Sequence, residues 1–215
     1  MKFSKESLRL YAVTDRTWLN GRTLRQVVSE AISGGATTVQ IREKNSGYED
    51  FKFQALEIQT LCKENHIPFI VNDNVDLALD IDADGVHVGQ SDMEAVRVRD
   101  LIGPDKILGV SASTVREAIE AERNGADYIG AGAVFQTGSK SDAVNVTHDV
   151  LREICSAVKI PVIAIGGINS GNIGELKGSG IAGVAVISAI FASQDIEKSA
   201  RELLELSEKY FCNHD

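Results

Sequence analysis

Arg9-Leu10-Tyr11-Ala12-Val13-Thr14-Asp15-Arg16-Thr17 joins a short apolar run to a polar turn without glycine. The run suits a strand covered on both faces. In a doubly wound dinucleotide-binding sheet, the turn after the first strand carries a GxGxxG phosphate loop. Thr14-Asp15-Arg16-Thr17 has none. Seven more runs rich in Val, Ile and Ala follow, at residues 37–42, 68–72, 85–89, 107–111, 128–132, 162–166 and 183–188. Between them lie stretches with apolar residues at helical 3–4 spacing, such as 23–33, 114–124 and 196–211. Gly34-Gly35 and Asn124-Gly125 stand where helix C-caps belong. Repeated strand–helix units imply parallel strands. Eight of them in about 200 residues fit an α/β chain folded as a single (β/α)8 TIM barrel. No linker or low-complexity tract interrupts it, so residues 1–215 are expected to form one domain.

The bulk numbers are ordinary for a soluble globular protein. The 215 residues carry a net charge of −9, with 43% hydrophobic and 25% charged residues. That acidity disfavours a nucleic-acid partner, whose phosphates need clustered Lys and Arg. Cys62, Cys155 and Cys212 are odd in number and lack a CxxC spacing, which fits a reduced, cytoplasmic setting rather than a disulfide framework. Residues 1–6 have no apolar export core. The longest near-apolar stretch, 180–192, is too short to span a bilayer and reads as a buried strand with its following turn. No membrane partner is expected, and a homo-oligomer stays open.

In this architecture, chemistry sits at the C-terminal ends of the strands. The second run ends Gln40-Ile41-Arg42-Glu43-Lys44, and while the chain stays extended Gln40, Arg42 and Lys44 share a face. The third ends Asn72-Asp73, the fourth leads into Gln90-Ser91-Asp92, and the fifth ends at Ser111. Thr137-Gly138-Ser139-Lys140 follows the sixth, Gly166-Gly167 closes the seventh and Ile187-Ser188 the eighth. Arg42, Lys44 and Lys140 bring three cations to one mouth, which suits a polyphosphate. Asp73 and Asp92 add two carboxylates, and Mg²⁺ is commonly held by one or two carboxylates plus phosphate oxygens. Together they suggest a diphosphate leaving group. Backbone N–H groups near Gly167 and Ser188 offer a second anion site, at the loops that often bind phosphate in barrels, with residues 188–191 starting a short helix.

Each feature also has a plainer reading. Arg42 and Lys44 can form a solvated rim with Glu43. Asp73 and Asp92 can cap the helices that follow them. Gly166-Gly167 can be only a turn. His87, inside the fourth run, reads as a satisfied core histidine, and the other histidines show no metal-ligand spacing. Cys62 and Cys155 fall on helix-like stretches as packing residues. No GxSxG or other nucleophile signature appears.

Taken in order, Tyr11-Ala12-Val13-Thr14-Asp15, Gln40-Ile41-Arg42-Glu43-Lys44, Asn72-Asp73, the segment from Asp84 to Asp92, Gly109-Val110-Ser111, Thr137-Gly138-Ser139-Lys140, Gly166-Gly167-Ile168 and Val186-Ile187-Ser188-Ala189-Ile190 resemble the thiamine-phosphate synthase family. The resemblance runs from about residue 9 to residue 191. It implies a barrel that condenses 4-amino-2-methyl-5-hydroxymethylpyrimidine diphosphate with hydroxyethylthiazole phosphate, giving thiamine phosphate and pyrophosphate. By matching motif, it implies that Gln40, Ile41, Arg42, Glu43, Lys44, Asn72, Ser111 and Lys140 bind the pyrimidine diphosphate. Thr137, Gly138, Ser139, Gly167, Ile187 and Ser188 would bind the thiazole phosphate, and Asp73 and Asp92 would hold Mg²⁺. Arg42, Ser111 and Lys140 are the expected catalytic residues of a dissociative displacement that needs no enzyme nucleophile.

The chain departs from the family pattern after the sixth strand. Ala133 and Gln136 replace prolines and Ser139 stands where threonine is usual, which frees the loop. A related thiazole tautomerase would call for a histidine there, and Gly132-Ala133-Val134-Phe135 has none. A barrel that only binds ligand would be expected to have lost Arg42, Asp73, Asp92 or Lys140, and all four are present.

Overall fold

The computed structural model describes residues 3–43, 46–137 and 145–212. Strands β1 (Leu10–Val13), β2 (Thr38–Ile41), β3 (Phe69–Asn72), β4 (Gly85–Val88), β5 (Ile107–Ala112), β6 (Tyr128–Gly132), β7 (Val162–Ile165) and β8 (Gly183–Val186) run parallel. They close in sequence order, with β8 paired back to β1. This is the expected (β/α)8 barrel, and each strand lies within one or two residues of its apolar run.

Six helices fill the first six connections: α1 (Leu24–Ser33), α2 (Tyr48–Glu64), α3 (Val75–Asp80), α4 (Ala95–Ile102), α5 (Val115–Arg123) and α6 (His148–Ala157). A 3₁₀ turn, Ile173–Leu176, stands between β7 and β8. After β8 come α7 (Ser188–Phe191) and α8 (Ile196–Phe211). The starts are chemically marked. Thr23 and Gln26 form a reciprocal capping box at α1, and Thr114, Thr147 and Asp195 cap α5, α6 and α8. Each cap accepts from a backbone N–H that has no partner inside the helix. The N-cap positions of α3 and α4 are held by Asn74, which accepts from Leu77 N, and by Glu94, not by Asp73 and Asp92.

The pleat sorts each strand into two layers. Leu10, Ala12, Val39, Ile41, Val71, Val86, Val88 and Ile129 pack outward against the helices. Tyr11, Val13, Ile70, Ile107, Tyr128, Ile163 and Ala185 fill the interior of the barrel. Cys62 is buried in the outer layer and Cys155 packs against it, so both are packing residues.

The N-terminal face is locked by charge. Asp127 Oδ2 accepts from Leu108 N at 2.7 Å and Arg99 Nη2 at 2.6 Å. The same guanidinium donates to the carbonyls of Gly103, Lys106 and Gly125. Glu122 Oε1 receives Lys159 N and Ile160 N at the entry to β7. These contacts tie loops at the end remote from the strand C-termini, where they serve stability. Among the described residues, no helix is long and apolar enough to cross a membrane.

Candidate active site

Inward positions alternate along each strand, so the last inward residue of a strand faces the barrel mouth. On β2 these are Thr38 and Gln40, and Arg42 lies just beyond the strand. On β3 and β4 they are Asn72 and His87, directly paired in register. On β5 and β6 they are Ser111 and Gly130, also paired. The result is a cavity of about 290 Å³ at the C-terminal end of the barrel.

Of the residues expected at the pyrimidine diphosphate site, Gln40, Arg42, Asn72 and Ser111 line this cavity. Ile41 does not. It alternates outward and is buried in the strand–helix layer. Glu43 turns to Arg16, whose Nη1 lies 3.2 Å from its Oε2. Lys44 and Lys140 lie outside the described residues. Arg42 is anchored through its backbone, N donating to Thr14 Oγ1 at 3.0 Å, while Thr14 N donates to Gln40 O. Thr14 is thus the buried post on which the end of β2 hangs.

On the thiazole phosphate side, Thr137 and Ile187 line the cavity, and Gly138 and Ser139 lie outside the described residues. Ser188 opens α7, as the sequence suggests. Gly166 and Gly167 do more than turn the chain. Both hold positive φ, +102° and +67°, which favours glycine. Backbone bonds from Val134 N to Ile165 O and from Phe135 N to Gly166 O draw the loop after β6 onto the loop after β7. A methyl group on Gly167 would meet Phe135 Cβ at 2.9 Å and strike Gln136 O.

Asp92 lines the cavity, and its Oδ2 accepts from Gly89 N at 2.7 Å, closing the turn after β4. Asp73 follows β3 with φ +61°, its N–H bound to His87 O at 2.8 Å. Aspartate tolerates that left-handed conformation better than most residues. Asp73 and Asp92, in the loops that follow the neighbouring strands β3 and β4, carry hard oxygen donors. Among the described residues no group of three His, Cys, Asp or Glu gathers to hold an ion. This donor set fits Mg²⁺, which keeps waters and takes phosphate oxygens in place of a full protein cage.

Beneath Gln40 and Ser111 the floor of the cavity holds three residues outside the expected site set, Tyr11, Tyr128 and His87. Tyr11 Oη receives Gln40 Nε2 at 2.9 Å and lies 2.7 Å from Tyr128 Oη. Tyr128 Oη meets His87 Nδ1 at 2.9 Å, and His87 Nε2 meets Ser111 Oγ at 2.9 Å. His87 is therefore satisfied, as expected, but it also faces the cavity. Burial pushes both tyrosine hydroxyls well above their ordinary range, so both stay protonated. Gln90, just past β4, donates from Nε2 to Ser111 O at 2.7 Å and braces the neighbouring strand end. The signal for this floor was the two-residue pleat, which decides which members of an apolar run turn inward.

A guanidinium, a carboxylate and amides around one mouth suit phosphorylated ligands, and similarity to known proteins agrees. A profile described as thiamine monophosphate synthase matches residues 10–190. The chain is 50% identical over 203 residues to the thiamine-phosphate synthase of Ruminiclostridium cellulolyticum, spanning 94% of this chain and 97% of that one. It is 49% identical over 206 residues to the Clostridium botulinum protein of the same name, spanning 96% and 97%. The solved thiamine phosphate pyrophosphorylase of Pyrococcus furiosus superposes with a TM-score of 0.89 at 41% identity, covering 96% of this chain and 98% of that one. With fold, cavity and chain-length identity in agreement, the chain belongs to the thiamine monophosphate synthase family.

Proposed function

We propose that this chain is a thiamine-phosphate synthase, a transferase that joins the aminopyrimidine diphosphate to the thiazole phosphate with release of pyrophosphate. The observation that carries the reading is the convergence of Gln40, Arg42, Asn72, Asp92, Ser111, Thr137 and Ile187 on one cavity. We further propose that residues 1–215 act as one domain in the cytoplasm.

The reaction breaks the bond between the pyrimidine methylene carbon and the diphosphate oxygen, then bonds that carbon to the thiazole nitrogen. The electron-rich aminopyrimidine carries the developing cation, so the protein must mainly bind, orient and stabilise charge. Arg42 offers a planar fork matched to phosphate oxygens, and Asn72 adds an amide beside it. Lys44 and Lys140 are assigned to the same diphosphate by motif. Asp73 and Asp92 would hold Mg²⁺, which supplies neutralisation of the charge gathering on the leaving group. Gln40 and Ser111 fix the pyrimidine ring, while Thr137, Gly138, Ser139, Gly167, Ile187 and Ser188 seat the thiazole phosphate. Holding both rings in line supplies the proximity term. The first histidine after β6, His148, packs edge-on against Phe135 with ring centroids 5.6 Å apart and does not line the cavity, which favours synthase over tautomerase chemistry.

Measuring pyrophosphate release with both substrates, and with each alone, tests the reading. Release coupled one-for-one to thiamine phosphate is expected. Release that ignores the thiazole phosphate, or isomerisation of a thiazole without release, would overturn it.

A further inference from the structure

Five side chains from five strands form one line across the cavity floor: Gln40, Tyr11, Tyr128, His87 and Ser111, joined by hydrogen bonds of 2.7–2.9 Å. The barrel makes room for it. A methyl group on Gly109 would lie within 3.0 Å of Tyr128 Oη and of His87 Nδ1, and one on Gly130 would lie 3.1 Å from His87 Cε1.

The line has a direction. Gln40 Nε2 only donates, so Tyr11 Oη accepts from it. Tyr11 is buried, and among the described residues the other polar atom bonded to its hydroxyl is Tyr128 Oη. If Tyr128 donated to Tyr11, the Tyr11 proton would be left without an acceptor, a costly arrangement in a buried site. Tyr11 therefore donates to Tyr128, and Tyr128 donates to His87 Nδ1. His87 then carries its proton on Nε2 and donates to Ser111 Oγ. At the two ends of the line the Gln40 carbonyl oxygen is an acceptor for a ligand and the Ser111 hydroxyl proton a donor, with one Gln40 N–H beyond the bond to Tyr11 left over.

We propose that Tyr11, Tyr128 and His87 are positioning residues that hold Gln40 as acceptor and Ser111 as donor, and so select an amino-bearing pyrimidine over its oxo counterpart. The inference rests on the reading of this cavity as the aminopyrimidine site. An exocyclic NH₂ donates to Gln40 Oε1, and an unprotonated ring nitrogen accepts from Ser111. The oxo ring places a carbonyl against the Gln40 carbonyl and a proton on one ring nitrogen. A site built around buried hydrogen bonds rejects such a mismatch strongly, here by roughly 100-fold or more in kcat/KM.

The test has two arms. In ligand-free protein, ¹⁵N spectra of the imidazoles should show His87 protonated on Nε2, and Tyr128→Phe, which removes one oxygen and both of its bonds, should shift the tautomer. In turnover with the amino and oxo pyrimidine diphosphates, Tyr128→Phe should lower the discrimination at least about 10-fold, with KM for the thiazole phosphate unchanged. Asp127→Ala, which loosens the far face, should lower stability and leave the discrimination intact. Should Tyr128→Phe not fold, Tyr11→Phe cuts Gln40 from the line and is read by the same ratio. A wild-type proton on Nδ1, or discrimination within about twofold of wild type in the folded variant, overturns the proposal. If the tautomer behaves as described but the aminopyrimidine diphosphate leaves the His87 signals unmoved, the placement of the ring in this cavity is what fails.

Discussion

Replacing Gly109 with alanine probes the cavity floor through packing alone. The added methyl would fall within 3.0 Å of Tyr128 Cζ, Tyr128 Oη and His87 Nδ1. Tyr128 has no open space to enter: it is fully buried and has Tyr11, Phe3 and His87 as ring neighbours at 5.5–5.8 Å. Overpacking of this kind costs about 1–3 kcal/mol. Parting Tyr128 from His87 leaves buried polar atoms unpaired, at a further ~1–3 kcal/mol. Against this, alanine narrows the unfolded ensemble by about 0.4–1 kcal/mol. The net loss is about 1–5.5 kcal/mol, which for a chain of this length lowers Tm by roughly 2–22 °C. Gly130→Ala is the internal comparison. Its methyl would stand 3.1 Å and 3.5 Å from the His87 ring, a contact that small shifts relieve. Urea unfolding followed by circular dichroism gives both values from the midpoint at constant slope. A Gly109→Ala variant within about 0.5 kcal/mol of wild type, or one less destabilised than Gly130→Ala, would refute the account of the floor.

Other outcomes follow from particular groups. Asp127→Ala removes the acceptor for Leu108 N and Arg99 Nη2, and should cost roughly 2–3 kcal/mol while turnover per folded molecule stays at wild-type level; a lowered kcat would tie the far face to the chemistry. Tyr11 and Tyr128 are held protonated by burial, so the stability they lend is complete below their unfolded pKa near 10 and is lost as pH rises toward their higher folded values. Phenolate absorbance should show them ionising only together with alkaline unfolding, and reversible ionisation of all four tyrosines in folded protein would contradict this. Asp92→Asn keeps an oxygen for Gly89 N but drops the charge, so folding should be preserved and Mg²⁺-dependent turnover should fall about 100-fold; full turnover of the variant in chelator would remove Asp92 from the metal site. Lys140→Ala should raise KM for the pyrimidine diphosphate about 10-fold or more and leave the thiazole phosphate KM alone; equal effects on both would move the lysine to shared ground.

The barrel was legible because apolar runs such as Val86–Val88 and Ile163–Ile165 recur with helix-length spacers. Helices were less evenly marked. Ile196–Phe211 shows clean 3–4 spacing, whereas α2 also exposes Phe53 and Leu56 and α3 has only six residues, so their periodicity is faint. Site residues at strand ends, including Gln40, Arg42, Asn72 and Ser111, could be read because the architecture says where strands end. Ile41 and Glu43 share that motif but sit on the other side of the pleat or in an ion pair, and motif membership does not carry direction. Tyr11, Tyr128 and His87 are not legible as ligand-facing groups because a tyrosine or histidine inside a buried run reads equally well as a packed, satisfied core residue. Which residue takes the N-cap position is not marked in the sequence near Asp73 and Asp92, because Asn74 and Glu94 lie within two residues of them and hold those positions in the fold.

The pairing of β8 with β1 has a consequence for how the chain comes to be folded. During synthesis Leu10–Val13 emerges first, and the partner for its free side, Gly183–Val186, comes last. Until then both Leu10–Val13 and the newest strand present unpaired backbone N–H and C=O groups, open to pairing with another nascent chain. Such a contact spans nearly the whole sequence, so loop closure opposes it until the other strand pairs have formed. A ribosome that stalls before residue 183 therefore releases a chain with two sticky margins, and the last four-residue strand is what turns an aggregation hazard into a sealed ring.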